Sequence, residues 1–98
     1  MKVVSINGII LMNHKHRHTI RLLFENPIRS NIAWASVETL LIACGAEISE
    51  GEGSRLRVML NGVRAVFHRP HPQKEIDKGA IKSVRRFLME AGVANDDL

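Results

Sequence analysis

The amino-acid sequence predicts one α+β domain in which three helices pack against a three-stranded antiparallel sheet. Apolar residues recur at helical spacing in three segments, and three short strand-like segments lie between the second and the third of them. Two of the strand-like segments flank Asn61-Gly62, the strongest short-range sequence signal for a β-hairpin. The predicted element order is therefore helix, helix, three-stranded meander, helix.

The first half of the chain is predicted to hold two helices. The first covers residues 17–25, and Pro27 ends it because the residue before a proline is pushed out of the helical region. Residues 26–33 are predicted to form a loop. The second helix is expected to begin after Ser36, whose hydroxyl suits an N-cap, and to close at Gly45.

The second half is predicted to hold the sheet and the last helix. The predicted strands are residues 46–50, 55–60 and 63–69, and Pro70 stops the third of them. Asp77 is expected to cap a final helix over residues 78–91. One face of that helix is apolar, and it carries Ala80, Ile81, Val84, Phe87, Leu88 and Ala91.

The two-residue turn predicts which residues of the hairpin stand opposite each other. One face is apolar and is expected to pack on the helices, with the pairs Leu60 and Val63, Val58 and Ala65, and Leu56 and Phe67. The other face carries the pairs Met59 and Arg64, Arg57 and Val66, and Arg55 and His68. Three arginines and a histidine on one hairpin face, with no carboxylate among them, favour binding to an anion such as phosphate.

The charge distribution supports an anionic partner. The chain has a net charge of +4, and residues 53–88 hold nine lysines and arginines against two acidic residues, an excess of seven. A basic cluster of this kind is the electrostatic footprint of a nucleic-acid-binding protein, and a merely solvated surface is the alternative.

Several other classes of protein are disfavoured. A single cysteine, Cys44, cannot form an intramolecular disulfide, so we expect a reducing, cytoplasmic environment and a thiol that serves as a small apolar residue. Residues 3–12 are too short and too polar to span a membrane. Residues 1–13 are predicted to be a leader without ordered structure, and residues 14–98 to form the single domain.

No cofactor and no metal are predicted, since the sequence holds no phosphate-binding loop, zinc motif or pair of carboxylates at catalytic spacing. His14, His16 and His18 alternate with basic residues. We interpret them as a solvated basic segment, because neighbouring cations oppose the binding of a metal dication.

Three motifs occur together between Val37 and Val93. They are a short helix that ends at Gly45 and leads through a strand to Gly53-Ser54, the stretch Pro70-His71-Pro72-x-Lys74, and the helix start Gly79-x-x-x-Ser83. In these motifs the chain resembles the HicA family, the toxins of a class of bacterial toxin–antitoxin pairs.

This resemblance implies a fold like that of double-stranded-RNA-binding domains, with the N-terminal helix as an addition. It also implies ribosome-independent cleavage of mRNA and neutralisation by a cognate antitoxin of the HicB type. Proteins with this fold contact the RNA backbone and 2′-hydroxyls more than the bases.

One position departs from the family. The family motif reads Gly-Ser-His with a catalytic histidine, whereas this chain has Gly53-Ser54-Arg55. Arginine stays protonated and cannot serve as a general base. The predicted register sets His68 directly across from Arg55, with Cβ atoms roughly 4.5–5.5 Å apart. We therefore predict His68 as the base and Arg55 as the group that holds the scissile phosphate, with His71 as the next choice for the base. The alternative is that His68 is only a surface residue on a phosphate-binding strand.

The remaining predicted RNA-binding residues are Arg57, Arg64, Arg69, His71, Lys74 and Lys82. The leading hypothesis is a toxin that cleaves mRNA by metal-independent attack of the 2′-hydroxyl. The alternative is a module of the same fold that binds RNA without cutting it. A DNA-binding regulator is disfavoured because no helix-turn-helix spacing is present.

Overall fold

The structure is a computed structural model, and it describes residues 13–28, 31–71 and 73–93 of the chain. Its elements, in chain order, are α1 (His14–Leu23), β1 (Ile32–Ala33), α2 (Trp34–Ala43), β2 (Glu47–Glu50), β3 (Arg55–Leu60), β4 (Val63–His68), β5 (Glu75–Ile76) and α3 (Lys78–Glu90). Strands β2, β3 and β4 form a three-stranded antiparallel sheet in that order. The predicted α+β class is confirmed, and the architecture is consistent with the double-stranded-RNA-binding-like fold carrying an extra N-terminal helix.

Helix α1 begins earlier than predicted. Asn13 is its N-cap, and the side-chain oxygen of Asn13 accepts a hydrogen bond of 2.9 Å from the backbone N–H of His16. The predicted start at residue 17 is wrong because the first turn is polar and carries no apolar periodicity. Residues 1–12 of the predicted leader lie outside the described residues, while Asn13 belongs to the helix.

Helix α2 does not begin at Ser36, so the predicted N-cap there is wrong. It begins at Trp34 after Ala33, and no side chain caps it. Its first residue is instead held by the sheet partner: the backbone N–H of Trp34 donates a 3.0 Å hydrogen bond to the carbonyl of Lys74. That bond satisfies one of the N–H groups that a helix start leaves unpaired, so a capping side chain is not required there.

Two short strands lie in segments that the sequence did not mark as strands. Strand β1 pairs antiparallel with β5, with Ile32 opposite Ile76 and Ala33 opposite Glu75. The prediction that residues 26–33 form a loop is therefore wrong for Ile32 and Ala33, which form β1. A two-residue strand is too short to show an alternating pattern, so its pairing depends on a contact between distant parts of the chain.

The hairpin has the predicted register at all six opposed pairs. Both turn residues adopt positive backbone angles, with φ of 52° at Asn61 and 82° at Gly62, as a type I′ turn requires. The side-chain amide of Asn61 also donates a 2.7 Å hydrogen bond to the carbonyl of Ala91, just beyond the end of α3. The turn therefore holds both the hairpin and the C-terminus of the last helix.

The apolar hairpin face and the three helices enclose one core. An aromatic row crosses it: the ring centres of Trp34 and Phe67 are 6.1 Å apart, and those of Phe67 and Phe87 are 5.8 Å apart. The completely buried aliphatic residues of the core include Ile20, Leu23, Val37, Leu40, Leu41, Leu56, Ile81, Val84 and Leu88. The predicted apolar stripe of α3 thus faces the sheet and the other helices.

Helix α3 begins as predicted. The side chain of Asp77 accepts a 2.8 Å hydrogen bond from the backbone N–H of Ala80. Arg85 joins α3 to the end of α1, because its guanidinium donates hydrogen bonds of 2.8 Å and 3.0 Å to the carbonyls of Leu23 and Glu25. Its guanidinium also lies 5.5 Å from the ring centre of Phe24. Arg85 therefore serves the fold.

The turn generates a stability prediction. No atom lies within 4 Å of a Cβ built at Gly62, so substitution there tests the backbone angle alone. We expect Gly62→Val to destabilise the protein by about 1–3 kcal/mol, because a β-branched residue resists a positive φ. Gly62→Asn is the matched control and should cost less than about 1 kcal/mol, since asparagine tolerates this region. Chemical denaturation measures both values, and equal stability of the two variants would contradict the turn assignment.

Candidate nucleic-acid interface

The outer face of the β3–β4 hairpin carries the predicted cationic residues. We call this surface the basic face and define it by Arg55, Arg57, Arg64 and His68. All four side chains are exposed, because strand alternation directs their neighbours into the core. The structure therefore brings together the two predicted catalytic residues and two of the predicted RNA-binding residues.

Arg55 and His68 stand directly opposite each other across the two strands. The adjacent pair is joined by a 2.7 Å hydrogen bond from the backbone N–H of Arg69 to the carbonyl of Ser54. Hydrogen-bonded and non-hydrogen-bonded pairs alternate in an antiparallel ladder, so Arg55 and His68 form a non-hydrogen-bonded pair. Side chains approach most closely at such pairs, with Cα atoms about 4.5 Å apart. A guanidinium and an imidazole can therefore reach the same phosphate.

Gly51 supports the arginine side of this pair. A Cβ at this position would lie 3.3 Å from the Cβ of Arg55 and 3.7 Å from Nε of Arg57. The backbone N–H of Gly51 also donates a 2.9 Å hydrogen bond to the carbonyl of Arg55. No local pattern in the sequence reveals this close approach of Gly51 across the strands.

Strand β2 extends the basic face and adds a carboxylate. Ser49 lies opposite Arg57, and Glu47 lies opposite Met59. Glu47 lines a shallow pocket together with Arg57 and Arg64. The sequence predicted a face without a carboxylate from the two hairpin strands alone. Glu47 on β2 adds a carboxylate, so that prediction is corrected. The face remains cationic in excess.

A groove runs between strand β4 and helix α3, and we call it the β4 groove. It consists of two adjoining parts of about 410 Å³ each, which share Val66, Phe67 and Ser83. The polar lining of one part includes His68 and Lys74 together with Glu75 and Asp77. The polar lining of the other includes Arg64, Lys82 and Arg86 together with Glu90. The groove thus brings Lys74 and Lys82, both predicted RNA-binding residues, to the border of the basic face.

Arg69 is engaged by the protein itself. Its guanidinium forms ion pairs of 2.9 Å with Glu38 on α2 and 2.8 Å with Glu50 on β2. The hydrogen bond to Glu50, together with the charge and hydrogen bond of Glu38, raises the pKa of Arg69. Glu38 also accepts a 2.7 Å hydrogen bond from Nε1 of Trp34. Arg69 therefore ties the sheet to α2, and an RNA contact by this residue stays a prediction.

His71 lies in the loop after β4. Its Nδ1 accepts a 3.2 Å hydrogen bond from the backbone N–H of Gln73. A neutral imidazole that accepts at Nδ1 carries its proton on Nε2, so the outer nitrogen is a donor. This arrangement suits a hydrogen bond to RNA better than abstraction of a proton.

The other candidates lie away from the basic face. His14, His16 and His18 lie on α1, and no group of three potential metal-binding side chains occurs within residues 13–28, 31–71 and 73–93. Cys44 is half-buried at the end of α2, and burial raises the pKa of its thiol from 9.0 to about 11. None of the helices in the described ranges has the length and apolarity that a membrane span requires.

One comparison with known proteins gave a match. A family model described as "HicA toxin of bacterial toxin-antitoxin" matches residues 34–93, a range that covers α2, the three-stranded sheet, β5 and α3 but not β1. Helix α1 precedes the matched range. No match was found among curated proteins or among solved structures.

The position of Cys44 generates a prediction about reactivity. Because the thiolate is the nucleophile and the pKa of the thiol is raised to about 11, little thiolate exists at pH 8. We expect iodoacetamide to alkylate the folded protein about 100-fold more slowly than the urea-unfolded protein. Mass spectrometry of the alkylated fraction over time measures both rates. Equal rates would show that the thiol is neither buried nor unreactive.

Proposed function

The chain belongs to the HicA toxin family of bacterial toxin–antitoxin pairs, and from this premise we propose that it is an endoribonuclease that cleaves mRNA. The observation that carries the proposal is the cross-strand pair of Arg55 and His68 on an exposed cationic face. The pair supplies the two groups that metal-independent cleavage of RNA requires, a base and a fixed positive charge.

In the proposed reaction, His68 accepts the proton of a ribose 2′-hydroxyl as its oxygen attacks the adjacent phosphorus. The new O2′–P bond forms while the P–O5′ bond breaks, and water supplies a proton to the departing 5′ oxygen; the hydroxide left behind takes the proton from His68, which restores the base. The products are a 2′,3′-cyclic phosphate and a 5′-hydroxyl end. Arg55 stabilises the negative charge that builds up on the phosphorane oxygens.

The replacement of the motif histidine supports a rearranged site. Arg55 occupies the position of the family's catalytic histidine and remains charged, so it cannot accept the proton. His68 keeps an imidazole at the neighbouring position across the strand pair. The hydrogen bond at Nδ1 of His71 makes that residue a poorer candidate for the base.

The same surface supports binding of the RNA backbone. Arg57 and Arg64 are exposed on the basic face, and Lys74 and Lys82 border it. We propose that these four cations contact phosphates on either side of the cut. The substrate would be met in the cytoplasm, and a HicB-type antitoxin would neutralise the toxin by covering this face.

The presence of Arg55 in place of the motif histidine also supports a second candidate function. A member of the family that has lost its catalytic histidine and kept its cationic surface would bind RNA without cutting it. Binding to RNA is common to both functions, so only an assay of cleavage separates them.

The first test of the proposed function is the loss of the base. We expect the wild-type protein to arrest growth when expressed without antitoxin and to cut RNA in vitro. His68→Ala should abolish both effects, because no group would remain to accept the 2′-hydroxyl proton. His18→Ala, an exposed histidine on α1, is the matched control and should retain both.

Two outcomes would contradict the assignment of the base. If His68→Ala stays fully active and His71→Ala does not, the base lies in the loop after β4. If the wild-type protein neither arrests growth nor cuts RNA while it still binds RNA, the second candidate function is correct.

The second test concerns the electrostatics of binding. The affinity for a single-stranded RNA should fall with salt with a log–log slope of about −0.7 per phosphate contacted. Arg57→Ala should make that slope shallower by about 0.7, because one phosphate contact is lost. Lys15→Ala on α1 removes the same charge away from the basic face and should leave the slope unchanged. Fluorescence anisotropy at several salt concentrations measures the slopes, and the same slope for all three proteins would remove the basic face as the RNA site.

A further inference from the structure

Strand β4 is an edge of the three-stranded sheet. The hydrogen bond from Arg69 to Ser54 shows that the odd-numbered residues of this strand direct their backbone groups toward β3. The N–H and C=O groups of Arg64, Val66 and His68 therefore point away from β3, toward the free edge. No other strand of the described chain pairs with that edge. An open edge of this kind is a template for an additional strand.

The β4 groove lies along this same edge. Its lining includes four consecutive residues of β4, from Arg64 to Phe67, and the facing side chains of Lys82, Ser83 and Arg86 on α3. The groove continues past His68 toward the start of α3. An extended segment on the edge of β4 would thus have the strand on one side and, on the other, a helix surface on which Lys82 and Arg86 outnumber the single carboxylate of Glu90.

The charges argue against a second copy of this chain as the occupant. An antiparallel pairing of β4 with itself, centred on Val66, would place Arg64 of each copy opposite His68 of the other. Such a pairing sets no carboxylate opposite either Arg64, so it leaves both arginines without an ion-pair partner across the strands. Lys82 and Arg86 add positive charge along the same groove.

The backbone groups argue against RNA as the occupant of the edge itself. The phosphates of RNA can accept hydrogen bonds from the N–H groups of β4 but cannot donate to the carbonyls that alternate with them, so those carbonyls would depend on 2′-hydroxyls or bases for a donor. The side chain at the centre of the edge, Val66, is apolar and 62% exposed. A peptide strand satisfies both the donors and the acceptors and can bury the valine.

We infer that the β4 edge binds an extended acidic segment of a protein partner, which adds to the sheet as a fourth strand. The outward residues of β4 are an arginine, a valine and a histidine, so the segment should carry an acidic residue opposite Arg64, an aliphatic residue opposite Val66 and a second acidic residue that accepts a hydrogen bond from His68. The identification of the partner rests on the proposed function, under which the segment belongs to the antitoxin. Its acidic side chains pair with Arg64 and His68 and so exclude RNA from them.

The experiment titrates the full chain with a blocked nine-residue peptide. The peptide has a central valine, glutamates two residues to either side of it, and threonines elsewhere. Saturation should slow hydrogen exchange at the amides of Arg64, Val66 and His68 at least tenfold, as measured by NMR. There are two control peptides. In one, every second backbone amide is N-methylated, in the set that would face β4; in the other, the remaining amides are N-methylated. Methylation of the set that faces β4 should abolish binding, while methylation of the other set should not.

Two protein variants provide a matched pair. Val66→Pro removes one outward N–H without removing a bond to β3, so it should fold and lose at least tenfold in peptide affinity. Val66→Thr keeps that N–H and should bind the peptide within threefold of the wild-type protein. Circular dichroism establishes that both variants are folded.

Several outcomes would overturn the inference. If the peptide is not bound at all, or if the two methylated peptides bind equally well, strand addition at this edge is excluded. Protection of the same amides by an RNA oligonucleotide, or by self-association of the chain without peptide, shows that the edge has a different occupant. Peptide binding does not depend on RNA cleavage. A protein that cuts RNA and ignores the peptide therefore refutes only this inference, and one that binds the peptide without cutting RNA refutes only the nuclease.

Discussion

The rest of the structure depends on the two-residue turn at Asn61 and Gly62. Because both residues adopt positive φ, the turn joins the strands with a single register, and that register assigns every hairpin residue to the core or to the surface. A slip of one residue would turn the arginines inward and the leucines outward. The side chain of Asn61 also bonds to the carbonyl of Ala91, so the same turn holds the end of α3. The packing of the helix on the sheet and the composition of the basic face are thus linked at one point.

The basic residues divide into two groups that their charge alone does not distinguish. Arg69 and Arg85 are bound to protein groups: one forms ion pairs with Glu38 and Glu50, and the other donates to carbonyls at the end of α1. Arg55, Arg57 and Arg64 extend from an exposed sheet face. The planar guanidinium serves both purposes, since its several donors can satisfy carboxylates and backbone carbonyls within the fold or phosphate oxygens outside it. The arginines of the second group are exposed and carry no ion pair within the described residues, while an RNA contact by Arg69 stays a prediction.

The proposed site and the proposed docking edge share residues, and this sharing has a mechanistic consequence. Arg64 and His68 project from the basic face, while their backbone groups line the open edge of β4. A partner strand on that edge would place its own side chains beside Arg64 and His68, the residues proposed to act on the RNA. Occupation of the edge and occupation of the face would then exclude each other, so one segment of a partner could neutralise the proposed nuclease without reaching into a deep pocket.

The sequence by itself determined the fold class, the hairpin register, the cap of α3 and the membership of the basic face, because each follows from a local signal. The type I′ turn, strand alternation and the Asp77 cap act over a few residues, so their patterns are visible in the sequence. Tertiary structure decided the start of α2, the pairing of β1 with β5, the ion pairs of Arg69 and the approach of Gly51 to Arg55. Each of these joins segments that are distant in the chain or on different strands. Such contacts depend on how the elements pack, and no spacing of residues within one segment records them.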